Sequence, residues 1–235
     1  MTVSGNKGFS LVEILVGLAV ASVLATAVYG IFSVQHRIYL AQKQIADLQQ
    51  NLRTCMYLLE EDIKHACFDP TGSARPTILH ADRGTFRFQA DLNENGHRFN
   101  ADPEEDDLAA MSGSDPNETL GFRLGLTEKQ GVRSLIREVW GGSQRMADHI
   151  EALDFAYLDS DGTPLAQFPL SREDREKIRA VEVTLVTRSP RPCRGRIDPI
   201  QYRNLRGDIL VSGKGDAYQR RAFSKIIHLR NRSSS

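Results

Sequence analysis

Gly8-Phe9-Ser10-Leu11-Val12-Glu13 opens a run that stays apolar to Val34, and the reading of the whole 235-residue chain turns on it. Between Phe9 and Val34 the only charged residue is Glu13. As a helix at 1.5 Å per residue the run reaches ~39 Å, enough to cross a hydrocarbon core of ~30 Å. Met1 to Gly8 before it is short and polar, with Lys7 its one cation. A secretory signal would have a shorter apolar core with a small-residue cleavage site on its far side. Here the run passes directly into an amphipathic stretch, so it is expected to remain as a membrane span. Glu13 is the anomaly. A carboxylate inside a span costs a few kcal/mol toward the bilayer centre, which makes it a functional candidate. A solvated position at the interface is the alternative.

Beyond the span, Ile45, Leu48, Leu52, Cys55, Met56, Leu59 and Ile63 recur at three- and four-residue steps between polar residues. That period predicts an amphipathic helix whose stripe packs into a C-terminal head. Asp69-Pro70 and Thr71-Gly72-Ser73 should stop it, because proline lacks the N–H and restricts the residue before it. The expected organisation is a leader over 1–8, a membrane-spanning helix over 9–34, an amphipathic helix over 35–68 and a β-rich head over 69–235. Strands are predicted at Thr85 to Gln89, Thr119 to Leu126, Ser134 to Trp140, Ala152 to Leu158, Ala180 to Thr187 and Phe223 to Leu229, from β-branched and aromatic residues in partial alternation. Asp159-Ser160-Asp161-Gly162 reads as a turn, and Ser171-Arg172-Glu173-Asp174 as a capping box opening a short helix to Ile178. The fold class is α+β, a long N-terminal α-helix packed on an antiparallel β-sheet head.

Lysine plus arginine and aspartate plus glutamate both total 30, so net charge points to neither nucleic acid nor an anionic surface. The balance is local. Residues 91–118 hold nine acids against Arg98, and from Arg188 onward twelve bases face Asp198, Asp208 and Asp216. Three cysteines are too few for a disulfide framework or a paired zinc site. Cys55 and Cys67 lie on one predicted helix, roughly 18 Å apart, beyond the reach of a disulfide. Any bridge therefore involves Cys193, with Cys67–Cys193 the pairing expected in an extracytoplasmic domain and free thiols the alternative.

Asp91-Leu92-Asn93-Glu94-Asn95-Gly96, with Asp102 beyond it, carries the best chemical motif. Asp91, Asn93, Asn95, the His97 carbonyl and Asp102 reproduce most of an EF-hand calcium loop. The last ligand should be Glu, and no helix flanks the loop. An acidic hairpin turn using Asn and Gly for their dihedrals is the competing reading. Apart from calcium no cofactor is expected. The six histidines are dispersed, no nucleophile elbow is present, and Gly213-Lys214-Gly215-Asp216 is only a fragment of a phosphate loop, so the chain does not read as an enzyme.

Gly8-Phe9-Ser10-Leu11-Val12-Glu13, behind a short leader and before a long apolar run, resembles the cleavage and methylation motif of type IV prepilins and type II secretion pseudopilins. The resemblance implies that a prepilin peptidase cuts between Gly8 and Phe9 and N-methylates Phe9, and that Glu13 pairs with the N-terminal amine of a neighbouring subunit. Ile150 to Asp159, Asp161-Gly162, Ile178 to Val186, Arg220-Arg221 and Leu229-Arg230-Asn231 resemble the head of PilW-type minor pilins and of the J-class minor pseudopilin. What this implies is a minor pilin that assembles with other minor pilins and the major pilin on an inner-membrane platform, its head in the periplasm, at the pilus tip. A type II secretion pseudopilin, or a tip-displayed module for adhesion or DNA uptake, is the alternative reading.

Overall fold

The computed structural model describes residues 8–96, 118–127, 132–139, 142–193 and 197–232. The chain forms two compact units, residues 1–45 and 46–235. The dominant element is α1, Leu11–Lys64, a helix of 54 residues without an internal proline. It stops at Lys64, short of the predicted boundary at 68. Cys67 takes a left-handed φ of 59°, and its N–H leaves the helix to donate to the Gln89 carbonyl. The Asn231 side chain donates to the carbonyls of Lys64 and Ala66 at 3.4 and 3.3 Å, satisfying acceptors that a helix end leaves open.

In the second unit, Leu48, Leu52, Cys55, Met56, Leu59 and Ile63 are buried, the stripe that the spacing predicts. From Leu52 onward it joins one core with side chains from two antiparallel sheets, among them Phe86, Phe122, Phe155, Tyr157, Val183 and Leu185. The first sheet has five strands in sequential order: β1 Ile78–Ala81, β2 Thr85–Gln89, β3 Thr119–Thr127, β4 Val132–Val139 and β5 Gly142–Asp148. The second has three: β6 Ile150–Leu158 and β7 Ala180–Arg188, with β10 Arg220–His228 on the other side of β7. A two-stranded hairpin, β8 Tyr202–Arg203 and β9 Ile209–Val211, adds a small core with Val186. The single sheet that the sequence suggests is therefore divided. The division falls at His149, the one residue between β5 and β6, whose φ of 61° turns the chain from one sheet into the other.

Charged pairs staple α1 to the sheets. Asp62 accepts two hydrogen bonds from Arg137 at 2.6 and 3.1 Å, and Glu60 accepts from Lys225. The second helix, α2 Arg172–Lys177, opens as its capping sequence predicts, with the Ser171 hydroxyl accepting from the Asp174 N–H.

Candidate functional site

Gly8 and Phe9 precede the helix as exposed backbone. No heavy atom stands within 4 Å of where a Gly8 side chain would begin. The fold of the chain does not require glycine there, so any demand for it comes from an agent outside the molecule. Phe9 itself is 82% exposed. Ser10 starts α1. Its carbonyl accepts the Ile14 N–H at 3.2 Å, and its own N–H points to Glu13 Oε2 at 3.5 Å. This is the reciprocal half of a capping box, in which a glutamate on the third helical residue reaches back to the first amide. The Ser10-x-x-Glu13 spacing is the sequence signal for this cap. Glu13 also lies where the amide dipoles favour a negative charge.

From Leu11 onward the apolar face of this segment has no inside. Leu11, Val12, Ile14, Leu15, Leu18, Leu24 and their neighbours are all exposed, and none of the apolar window is buried in the chain. The few polar side chains are turned onto their own helix: Ser22 donates to Ala19, Thr26 to Ser22 and Ser33 to Gly30, each at 2.8 Å. A helix that is apolar all round and hides its hydroxyls suits lipid or other helices, where an unmet polar group is costly. The helix is long and apolar enough to cross a membrane.

The candidate residues of the head meet different fates. Cys55, Cys67 and Cys193 are all buried and none is in a disulfide, so the expected Cys67–Cys193 bridge is not formed. Topology explains this correction. Cys67 follows Ala66, whose carbonyl is bonded to Asn231 just past the His228 end of β10, opposite Ala180. The Cys193 N–H donates to the Ala217 carbonyl, just before the Arg220 end, opposite Arg188. The two cysteines therefore fall toward opposite ends of β7, a nine-residue strand roughly 27 Å long, whereas a bridge needs Cα atoms within about 7 Å. Burial also pushes the Cys55 thiol up to about 11, leaving it inert.

At the proposed calcium loop, Asp91 is 1% exposed, with Oδ2 accepting from the Gly96 N–H at 3.1 Å and Oδ1 without a partner among the described residues. Asn93 Oδ1 accepts from the Asn95 N–H at 3.0 Å. Gly96 has a φ of 67°, and a Cβ there would meet Thr71 Oγ1 at 2.8 Å, so the turn itself demands glycine. These are the bonds of a self-capping turn. His97 and Asp102 lie outside the described residues, as do Met1 to Lys7 of the leader. Among the described residues no three His, Cys, Asp or Glu side chains converge as metal ligands.

Comparison with known proteins adds a motif and a likeness. A family described as the prokaryotic N-terminal methylation motif matches residues 3–29. Curated proteins give no significant match. Among solved structures the chain is similar to a type IV-like pilin from Thermus thermophilus, at 18% identity and a TM-score of 0.47, covering 80% of this chain and 100% of that one. The matched stretch spans Gly8, Phe9 and Glu13. Over its N-terminal segment the chain carries the prokaryotic N-terminal methylation motif, followed by an apolar helix that leads into antiparallel sheets.

Proposed function

We propose that the chain is a minor pilin, cut by prepilin peptidase between Gly8 and Phe9, methylated on Phe9, and assembled with other minor pilins to prime and cap a type IV pilus. The protein is anchored in the bacterial inner membrane by one helix, with its head in the periplasm. The observation that carries this reading is an apolar, membrane-length helix left unburied among the described residues, with Glu13 in its first turn. After cleavage the new amine of Phe9 lies near the start of the span. A small axial offset between parallel helices brings the acid of one subunit to the amine of the next. Each charge alone would be costly in that setting, and together they neutralise one another. The large head, with two sheets and an added hairpin, supports a minor rather than a repeating major subunit.

The test is Glu13→Gln. Loss of one partner leaves the other partly buried and unpaired, roughly 3–5 kcal/mol for a fully buried pair and less where water reaches it. The variant should be cleaved and inserted normally yet fail to co-purify with its partner subunits from detergent-solubilised membranes, while Leu15→Ile is tolerated. Undiminished recovery of partners with the Gln variant would refute the pairing. A deletion strain separates the alternatives: loss of all filaments supports the assembly role, loss of secretion with filaments intact supports a type II pseudopilin, and normal filaments lacking adhesion or DNA uptake support a tip-displayed module.

A further inference from the structure

His149 holds a left-handed backbone, φ 61°, at the switch between the two sheets. That conformation costs a residue with a Cβ on the order of 1 kcal/mol, and Gly or Asn would occupy it more easily. The backbone is held there from β7, because the His149 carbonyl accepts the Arg188 N–H and the Thr187 hydroxyl, both at 2.9 Å. Nδ1 of its ring is buried and has no hydrogen-bond partner among the described residues. The residue lines a cavity of about 390 Å³ together with Arg133, Arg188, Lys214 and Glu151. Leu210 and Val211 supply an apolar wall.

The cations of this cavity arrive from three separate stretches: Arg133 on β4, Arg188 at the end of β7, and Lys214 after β9. The one acid, Glu151, is already answered. It pairs with Lys214 and, from behind, with Arg220, which is 1% exposed and also paired to Asp216. Arg133 and Arg188 have no carboxylate at ion-pair distance among the described residues. The Arg188 guanidinium instead stacks over the Tyr218 ring, 4.8 Å from its centroid, which leaves its N–H edge free to donate. Elsewhere in the head several partly buried arginines meet acids, as Arg137 meets Asp62 and Arg206 meets Asp154. Two unanswered guanidinia beside an unpartnered imidazole nitrogen form a concave, positively charged site.

We propose that this cavity binds an oxyanion, the phosphate or carboxylate group of a small organic molecule. Arg133 and Arg188 supply planar paired donors, Lys214 adds charge and the His149 ring supplies one further hydrogen bond. The volume falls within the range of small-ligand sites and exceeds what a lone phosphate fills, so the ligand brings a carbon body to rest on Leu210 and Val211. Cells offer both phosphate esters and carboxylates of this size, and the probes below distinguish them.

The experiment is calorimetric titration of the full chain in detergent with inorganic phosphate, glycerol 3-phosphate and succinate, at matched ionic strength against chloride. Saturable binding of at least one probe is expected, with a three-carbon probe tighter than inorganic phosphate. Arg133 is exposed, so Arg133→Gln should fold normally and weaken binding roughly tenfold or more, the worth of one charge-assisted hydrogen bond. His149→Asn, which tolerates the same backbone, should weaken it less. Lys177→Gln, at the other end of β7 and paired with Asp174, should leave it unchanged. No saturable binding through the millimolar range, or equal losses in Arg133→Gln and Lys177→Gln, would overturn the site.

Discussion

The first part of α1 and the head draw on the same residues, Leu, Val, Ile and Phe, to opposite ends. In the unit ending at Ile45 the described apolar side chains stay exposed as far as Leu40, and the hydroxyls of Ser22, Thr26 and Ser33 bond to their own helix. In the unit from Ala46 the apolar residues narrow to one helix stripe and alternate sheet faces, and the charges are paired across elements. The difference teaches what each segment is written for. The head buries its apolar residues in a core of its own, whereas the apolar window of the helix is left unburied among the described residues. Substitutions should therefore act on processing and assembly in the one and on stability in the other.

The largest expected effect is at Gly8. With nothing of the chain near it, Gly8→Leu should leave the fold unchanged and yet block cleavage altogether. Mass spectrometry of the membrane-purified protein should find N-methylated Phe9 as the first residue of the wild type and Met1 as the first residue of the variant. An intact Met1 in the wild type, in cells with active peptidase, would break the assignment.

Next comes a paired test of the comparison itself. Leu59 is fully buried, so Leu59→Ala should cost about 2–5 kcal/mol from lost burial and the cavity left behind. Leu24→Ala, at an exposed helix position, should leave the thermal or denaturant unfolding of the head where it was. A comparable loss for both would show that the two units are one cooperative body.

Acid should have a smaller and graded effect, confined to the head. Burial works to raise Glu138 and Glu151, but Arg123 and Arg87 on the first and Arg220 and Lys214 on the second outweigh it, so both lie below the ordinary 4.5. Asp216 is lowered chiefly by its bond to Arg220. A carboxylate depressed in the folded state lends stability above its unfolded pKa and loses it as pH falls through the folded value. The melting temperature should hold from neutrality to about pH 5 and fall below about pH 4. A head equally stable at pH 3 would contradict these pairings.

The smallest effect concerns the Asp91 turn. A calcium ion held by Asp91, Asn93 and Asn95 would raise the melting temperature by mass action, and Asp91→Ala would remove the rise. Because Asp91 and Asn93 already cap the amides of Gly96 and Asn95, millimolar calcium is expected to shift melting little. A clear, Asp91-dependent increase would restore the calcium loop.

Much of this molecule is local and was therefore legible. The apolar run, Glu13 within it and the stripe from Leu48 to Ile63 are patterns of composition and period, and such patterns survive into structure because a helix makes its own backbone bonds. Six predicted strands lie on strands of the structure because their alternation and β-branched or aromatic content is equally local, although their pairing is not. Strands β1 and β5 were not legible: Ile78–Ala81 is short, and Gly142–Asp148 is mostly exposed and polar, so neither shows the alternation of a half-buried strand.

The sequence by itself determined that this chain has a membrane-length helix, an acid in its first turn, a cleavage-type motif before it and a β-rich head after it. Tertiary structure alone decided how the strands divide between two sheets, that Cys67 and Cys193 fall at opposite ends of β7, and that Arg133, His149, Arg188 and Lys214 meet around one cavity. The physical reason is range. A period or a motif is read within one turn of chain, whereas sheet register and the meeting of distant side chains depend on which long-range pairings the whole core selects.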